Sequence, residues 1–218
     1  MVQPPSPGGS VGPQEKPPGS GRGCAAAVLV GALLVLALLG CVGISLIVWL
    51  RGPGGDYAQA PGCSLVEESG VLDEFVSGYE VDIDGPLDTA GADWWDGTQC
   101  RWTTTEDSTG MPSSVSVAFI RSGNRFGYGG EAAARADLKR ESEGNTTVAV
   151  DDLGDEAVRW YDATTLHGCA AVRQSNLMVS TCYESSTDFA ASREISAAEA
   201  MEGAVTVARE IVAALEQE

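Results

Sequence analysis

The chain has 218 residues, of which 44% are hydrophobic and 20% charged, and its formal net charge at pH 7 is −18. This acidic balance excludes polyanionic partners such as nucleic acid, because their phosphates would be repelled. The charge is unevenly distributed, since the four charged residues before position 52 carry +2 and leave −20 for residues 52–218; they are Glu15, Lys16, Arg22 and Arg51.

Residues 1–23 hold most of the prolines, with Gly, Ser and Gln between them and almost no apolar side chains. Such a stretch cannot bury enough surface to offset the entropy lost on ordering. We therefore expect this segment to be a disordered tail.

An uninterrupted apolar run extends from Cys24 to Leu50 without one charged residue. As a helix it would be about 40 Å long at ~1.5 Å per residue, which exceeds the ~30 Å hydrocarbon core of a bilayer. Trp49 stands at one boundary, where an indole prefers the interface, and Arg51 closes the run. The run predicts a transmembrane helix over residues 24–50.

Two alternatives to an uncleaved helix remain, a cleaved signal peptide and a lipid anchor. A cleaved signal peptide needs a shorter apolar core and a small-residue cleavage site. The segment Leu38-Leu39-Gly40-Cys41 resembles a bacterial lipobox, which would make the protein a lipid-anchored lipoprotein with a small-ligand carrier role. Residues 42–50 remain apolar, however, whereas a lipid-anchored chain usually turns polar after its cysteine, so the uncleaved helix is favoured.

Basic residues set the expected orientation. Lys16 and Arg22 precede the apolar run and Arg51 comes after it, a small bias towards a cytoplasmic N-terminus. We therefore expect a single-pass cell-membrane protein with an extracytoplasmic C-terminal domain. Its predicted parts are a tail over 1–23, a transmembrane helix over 24–50, a linker over 51–62 and a domain over 63–218.

Four cysteines lie in the predicted domain, and they form no CxxC pair. Ser175-Asn176 fits a two-residue turn between two β-rich runs, and this register places Cys169 opposite Cys182 in a non-hydrogen-bonded pair. Such pairs bring the Cα atoms to about 4.5 Å, within disulfide range. Cys63 and Cys100 are then left to join each other. Two disulfides favour an oxidising compartment, in agreement with the expected orientation.

The remaining pattern predicts an α+β fold, an antiparallel sheet with helices packed on a face. Helices are expected from Ser64, where Ser64 and Glu67 have the form of a capping box, towards Ser77; over 131–143; and from a second capping box, Ser196 and Glu199, to the C-terminus. Residues 78–97 are expected to form a loop. Strands are expected over 99–104, 114–121, 147–150, 158–161 and the hairpin runs 163–173 and 177–185.

Catalytic and metal-binding patterns are weak. The single histidine, His167, lies two residues before a predicted disulfide cysteine on a strand, where a structural role is the better interpretation. The run Glu80 to Asp96 contains six acidic residues, and Asp82-Ile83-Asp84-Gly85 resembles the start of a calcium loop, but the EF-hand spacing is incomplete. We expect a solvated acidic loop, no metal and no cofactor; a hydrolase that uses these carboxylates is a less favoured alternative.

Two features could bind a ligand. Trp94, Trp95 and Trp102 bracket Cys100, and such tryptophans can stack on sugars or rest on a membrane, although core packing beside a disulfide is commoner. Arg121 and Arg125 form the only basic cluster in the domain and precede a predicted helix N-terminus, where an anion could bind, although a plain connecting loop is commoner.

Several different short motifs follow one another in a fixed order along the domain. They are Cys63-Ser-Leu-Val66, Cys100-Arg-Trp102, Leu153-Gly-Asp-Glu-Ala157, the hairpin 172–179 and a closing amphipathic helix. The pattern resembles actinobacterial secreted lipoproteins and membrane-anchored domains, and more distantly the extracellular sensor domains of mycobacterial receptor-type kinases. The resemblance implies a Cys63–Cys100 bridge and no established reaction. The chain departs from it in the Cys169/Cys182 pair and in the apparent transmembrane helix.

These observations lead us to expect a membrane-anchored domain of the cell envelope that binds or senses a partner and is not an enzyme. The partner would be an envelope protein or a small ligand, and the protein would contact the membrane only through its transmembrane helix. An aromatic-lined cavity between sheet and helices would favour ligand binding. Close-set carboxylates in a cleft would favour an enzyme.

Overall fold

The computed structural model describes residues 34–47, 54–88, 92, 94–125 and 128–217. The chain divides into two compact units, Met1–Leu46 and Ile47–Glu218. The predicted tail lies outside the described residues, as do 24–33 and 48–50 of the predicted transmembrane helix. The middle of that apolar run forms helix α1 over residues 34–47. Within the described ranges, no helix has both the length and the apolar character needed to cross a membrane.

The second unit is built on one antiparallel sheet of seven strands in the order β1-β2-β3-β7-β6-β5-β4. This confirms the α+β prediction. The strands are β1 Tyr79–Pro86, β2 Trp95–Thr104, β3 Ser113–Ser122, β4 Val148–Ala149, β5 Glu156–Asp162, β6 His167–Gln174 and β7 Leu177–Ser185. The helices are α2 Ser64–Glu68, α3 Val71–Phe75, α4 Gly130–Glu141 and α5 Ala197–Leu215.

Helices cover both faces of the sheet rather than one. On one face α5 packs on β5, β6 and β7, while α2 and α3 lie against α5 and β3. On the other face α4 packs on β3, β6 and β7. The strand period explains the division: Ala170 and Val172 face α5, and the alternate residues Cys169 and Ala171 share a core cluster with Leu138 of α4.

The hairpin has the predicted register. Gln174 pairs with Leu177, Val172 with Val179 and Cys169 with Cys182. A disulfide joins Cys169 to Cys182, with their Cα atoms 4.1 Å apart, and a second joins Cys63 to Cys100. Both predicted pairings are therefore confirmed, and the second one attaches the start of α2 to β2.

Helix α5 begins at the predicted capping box. The Ser196 hydroxyl accepts a hydrogen bond from the Glu199 amide, and the Glu199 carboxylate accepts one from the Ser196 amide. The apolar side of the predicted amphipathic helix is buried from Ala204 to Leu215, and Met201 near its start is half-buried. Gly168 permits the close approach of α5 to β6, since a Cβ there would lie 2.0 Å from the carbonyl carbon of Ala200.

The predicted helix after Ser64 is broken in two. Gly70 adopts a left-handed conformation with φ of 76°, which separates helix α2 from helix α3, and α3 begins at Val71. The predicted capping box is wrong, because Cys63 occupies the N-cap without a side-chain hydrogen bond. The second capping box therefore folds as expected and the first does not.

The predicted loop over 78–97 is also wrong at both ends, since Tyr79–Pro86 form strand β1 and β2 begins at Trp95. Tyr79, Val81 and Ile83 alternate with acidic residues, as in a strand, and a register shift between Val81 and Ile83 interrupts the pairing with β2. The β-branched pair and the hydrogen bonds to β2 outweigh the loop-forming tendency of the Asp and Gly residues. The exposed carboxylates then lie on an edge strand, where charges discourage pairing with another chain.

Candidate functional site

A groove of about 650 Å³ lies between α4 and the segment that leads into β2. We call it the tryptophan groove. Its lining is predominantly apolar, and it consists of Asp88, Ala92, Trp94, Trp95, Arg125, Tyr128, Ala132, Ala133, Ala136, Asp137 and Arg140. This volume is within the range of sites that bind small molecules.

One wall of the groove is the alanine-rich side of α4. Ala132, Ala133 and Ala136 have the spacing that places residues on one side of a helix. Ala132 and Ala136 are exposed and Ala133 is half-buried. Because their side chains end at Cβ, they project little into the groove, and a ligand could approach the backbone of α4.

The opposite wall contains Trp94 and Trp95, which are half-buried at the start of β2. Trp94 is held through its carbonyl, which accepts a 2.6 Å hydrogen bond from the Gly123 amide at the end of β3. The core-packing prediction is correct for Trp102, which is fully buried and donates from Nε1 to Glu67 at 3.1 Å. It is wrong for Trp94 and Trp95, which line the groove.

Arg125 forms the rim near the start of α4. Its guanidinium carbon lies 4.6 Å from the centre of the Trp94 ring, the geometry of a cation–π contact. Its backbone exchanges hydrogen bonds of 2.9 and 2.8 Å with that of Tyr128. Residues 126 and 127, in the loop between Arg125 and α4, lie outside the described residues.

The floor of the groove is a polar network around Asp137, which is only 9% exposed. Its carboxylate accepts a hydrogen bond of 2.9 Å from Ser122 Oγ and one of 2.6 Å from Arg140 Nη1. The partners of this buried charge are thus supplied by β3 and by the next turn of α4. The network anchors α4 to the sheet and fixes the groove wall.

Arg121, the other basic residue of the predicted cluster, does not join Arg125 in the groove. Its guanidinium forms an ion pair with Asp96, and Asp96 also accepts a 2.6 Å hydrogen bond from the amide of Ala60. Of the two arginines in the predicted cluster, Arg121 therefore pairs with Asp96 and only Arg125 lines the groove.

The segment from Gly54 to Ala60, part of the predicted linker, is bonded to the same end of the sheet. The amides of Asp56 and Tyr57 donate to Ser175 Oγ and Asn176 Oδ1, each at 3.0 Å, and the Asn176 side-chain amide returns a 2.9 Å hydrogen bond to the Tyr57 carbonyl. The β6–β7 turn thus serves as the docking point for the chain as it enters the domain.

His167 belongs to a different cluster, on the part of the sheet that faces away from α5. Its Nε2 lies 2.7 Å from Glu184, which also accepts a 2.7 Å hydrogen bond from Ser114 Oγ and lies 3.5 Å from Arg101. The hydrogen bond to His167 holds the pKa of Glu184 below its ordinary value of about 4.5, although partial burial acts in the opposite direction. This network joins four strands, β2, β3, β6 and β7.

The acidic run does not converge on a metal site. Glu80, Asp82 and Asp84 lie along β1, and Asp82 is 3.7 Å from Arg101. Over the described part of the chain, no group of three or more His, Cys, Asp or Glu side chains could hold a metal ion. Asp93 lies outside the described residues.

No family model, no curated protein and no solved structure matches this chain.

The sequence contained a partial signal for the groove. The tandem tryptophans, Arg125 and the alanine-rich helix are all visible along the chain, but only the fold brings them together. The alanines of α4 carry no such signal in the sequence, because alanine is equally typical of an ordinary helix.

Proposed function

We propose that this protein is a membrane-anchored, extracytoplasmic binding or sensing domain of the cell envelope, and that it binds a small ligand in the tryptophan groove without catalysing a reaction. The observation that carries the proposal is the groove itself. It combines an apolar lining, two half-buried tryptophans and a rim arginine in a volume of about 650 Å³. Ligand sites in proteins usually have this composition, with few polar groups in an apolar pocket.

The membrane anchor in this proposal rests on the charge-free apolar run from Cys24 to Leu50, of which α1 is the described part. Its large apolar side chains are 53–66% exposed, and they lie on all sides of the helix; they are Leu34, Val35, Leu36, Leu38, Leu39, Val42, Ile44, Leu46 and Ile47. A helix that is apolar all round needs an apolar environment. Cys41 lies inside this helix, which continues to residue 47; the continuation favours an uncleaved helix over a lipid anchor at Cys41.

A binding role also fits the chemistry of the groove better than an enzymatic one. The carboxylate of Asp137, in the floor of the groove, already accepts hydrogen bonds from Ser122 and Arg140. The only histidine is engaged with Glu184 in the other cluster. The relationship to actinobacterial envelope lipoproteins and kinase sensor domains remains part of the proposal, and the Cys63–Cys100 bridge is consistent with it.

The ligand site can be tested with a mixed set of neutral, anionic and cationic small molecules, using the full chain in lipid nanodiscs and saturation-transfer NMR. Ala136→Leu should abolish binding, because it extends a side chain from the exposed alanine wall into the groove. Ala198→Leu is the matched control, since Ala198 is an exposed alanine on α5 outside the groove. Equal binding to both variants would refute the site.

The anchor is tested by proteolysis of intact cells that carry tags at both ends of the chain. Added protease should digest the C-terminal domain and leave the N-terminal tag protected. Protection of the C-terminal tag in intact cells, with digestion after lysis, would refute the proposed orientation.

A further inference from the structure

We propose that the ligand of the tryptophan groove is a small amphiphilic anion, with an apolar body about as long as an eight-carbon chain and one carboxylate at its end. The inference rests on the proposed function and specifies the ligand class. Two features of the groove support it, the length of its apolar wall and the state of each charged group, and the acidic charge of the domain limits the ligand to one negative charge.

The apolar body is indicated by the two walls. From Ala132 to Arg140 the groove runs along α4 for about 12 Å at ~1.5 Å per residue. Methyl groups on one side and indole rings on the other offer few hydrogen-bond partners along this length. A carbohydrate would lose hydrogen bonds to water without replacement, whereas an alkyl chain or an aromatic ring loses none.

The position of the anionic group is indicated by Arg125. Arg140 and Arg121 are each paired with a carboxylate, Asp137 and Asp96 respectively. Among the described residues Arg125 has no such partner, and the face of its guanidinium stacks on Trp94. Stacking leaves the N–H edge of the guanidinium available, and this edge matches a carboxylate in a bidentate hydrogen bond.

The other charges of the groove do not favour a cation. Asp137 is already hydrogen-bonded to Ser122 and Arg140, and Asp88 also has an interaction partner. Among the described residues of the groove, a cationic group would therefore meet Arg125 and no free carboxylate. The net charge of −18 opposes anions, and polyanions most strongly, so an anionic ligand held by Arg125 carries a single negative charge.

The probe for the test is 8,8,8-trifluorooctanoate, observed by 19F NMR with the full chain in nanodiscs of zwitterionic lipid; empty nanodiscs measure partition into the lipid. We expect binding above the empty-disc level and displacement by octanoate. Octan-1-ol and octylammonium have the same chain with a neutral and a cationic head group, and they should compete at least about ten-fold more weakly.

Two arginine variants test the head-group contact. Arg125→Gln should weaken trifluorooctanoate binding by about ten-fold, since one charge-assisted contact is lost. Arg193→Gln is the matched control, because it removes one exposed positive charge from the β7–α5 loop and should leave the affinity unchanged. Equal affinity for the wild type and Arg125→Gln would overturn the proposal.

The remaining outcomes separate this inference from the proposed function. If the groove binds octan-1-ol or octylammonium as tightly as octanoate, and Ala136→Leu abolishes that binding, the groove is a ligand site but the anionic class is wrong. If the probe binds empty and protein-loaded discs alike, the proposal is overturned. If Ala136→Leu leaves probe binding intact, the ligand is not in the groove and the proposed site fails as well.

Discussion

The two faces of the sheet differ in how completely their helices are packed. Helix α5 buries nine of its residues, and it joins α2 and α3 in closing one face. Helix α4 buries four residues, of which Leu138 is the large apolar one, and Asp137 is a charged residue that needs partners. The comparison indicates that the α5 face provides stability, whereas the sparse packing beside α4 leaves room for the groove.

Replacement of Ile211 by Asp should have the largest effect on the α5 face. Ile211 is completely buried, and an unpaired carboxylate there should lower the free energy of unfolding by about 3–5 kcal/mol. Thermal melts of the full chain, followed by near-UV circular dichroism, measure the loss. Glu210→Gln changes the exposed neighbouring residue and is the control. Equal melting temperatures for the two variants would show that α5 is not part of the core.

The two disulfides should differ in their contribution to stability. The Cys63–Cys100 bridge closes a sequence separation of 37 residues and the Cys169–Cys182 bridge one of 13, which correspond to about 4 and about 3 kcal/mol in the chain-entropy description. The contribution of the Cys169–Cys182 bridge is reduced further, because the hydrogen bonds between β6 and β7 already hold these two cysteines close together.

Paired Cys→Ser variants should therefore lower the melting temperature more at Cys63/Cys100 than at Cys169/Cys182. Non-reducing peptide mapping of the wild type must first show these two linkages. A peptide that joins Cys63 to Cys182 would contradict the hairpin register.

Glu184 should contribute a smaller, pH-dependent stabilisation. Its pKa is lowered by the hydrogen bond to His167, so its contribution is complete above the ordinary pKa and is lost as the pH falls through the folded-state pKa. Glu184→Gln should cost about 1 kcal/mol at pH 7 and make the melting temperature less dependent on pH below about 4.5.

Glu202→Gln is the matched control for this pH profile. Glu202 also pairs with an arginine, Arg159, but its side chain is 64% exposed, against 33% for Glu184. Exposed ion pairs contribute little, so its unfolding curve should match that of the wild type. If the two variants have the same pH profile, the network around Glu184 is not coupled to folding.

The smallest effect on stability is expected on the groove side. Ala136 is exposed, and leucine is nearly as favourable as alanine in a helix, so Ala136→Leu should change the free energy of unfolding by less than ~0.5 kcal/mol. The same substitution should abolish ligand binding. A large drop in melting temperature would show that the alanine wall belongs to the core, and the contrast between the two faces would then fail.

The sequence by itself determined the features that depend on local periodicity. The Ser175-Asn176 turn and the two-residue period of its flanking strands set the hairpin register, and with it the Cys169–Cys182 pair. The capping box at Ser196 and the apolar stripe after it defined α5, because each buried position recurs at helical spacing.

Only the tertiary structure decided the features that depend on distant partners. The acidic segment Tyr79–Pro86 becomes a strand because β2 supplies its hydrogen bonds, and these are invisible to a local pattern. The placement of α4 opposite α5, and of Trp94 against Arg125, depends on how the chain crosses the sheet. The groove exists for that reason: its walls are separated in sequence, and only the folded sheet brings indole, guanidinium and alanine methyl groups into one site.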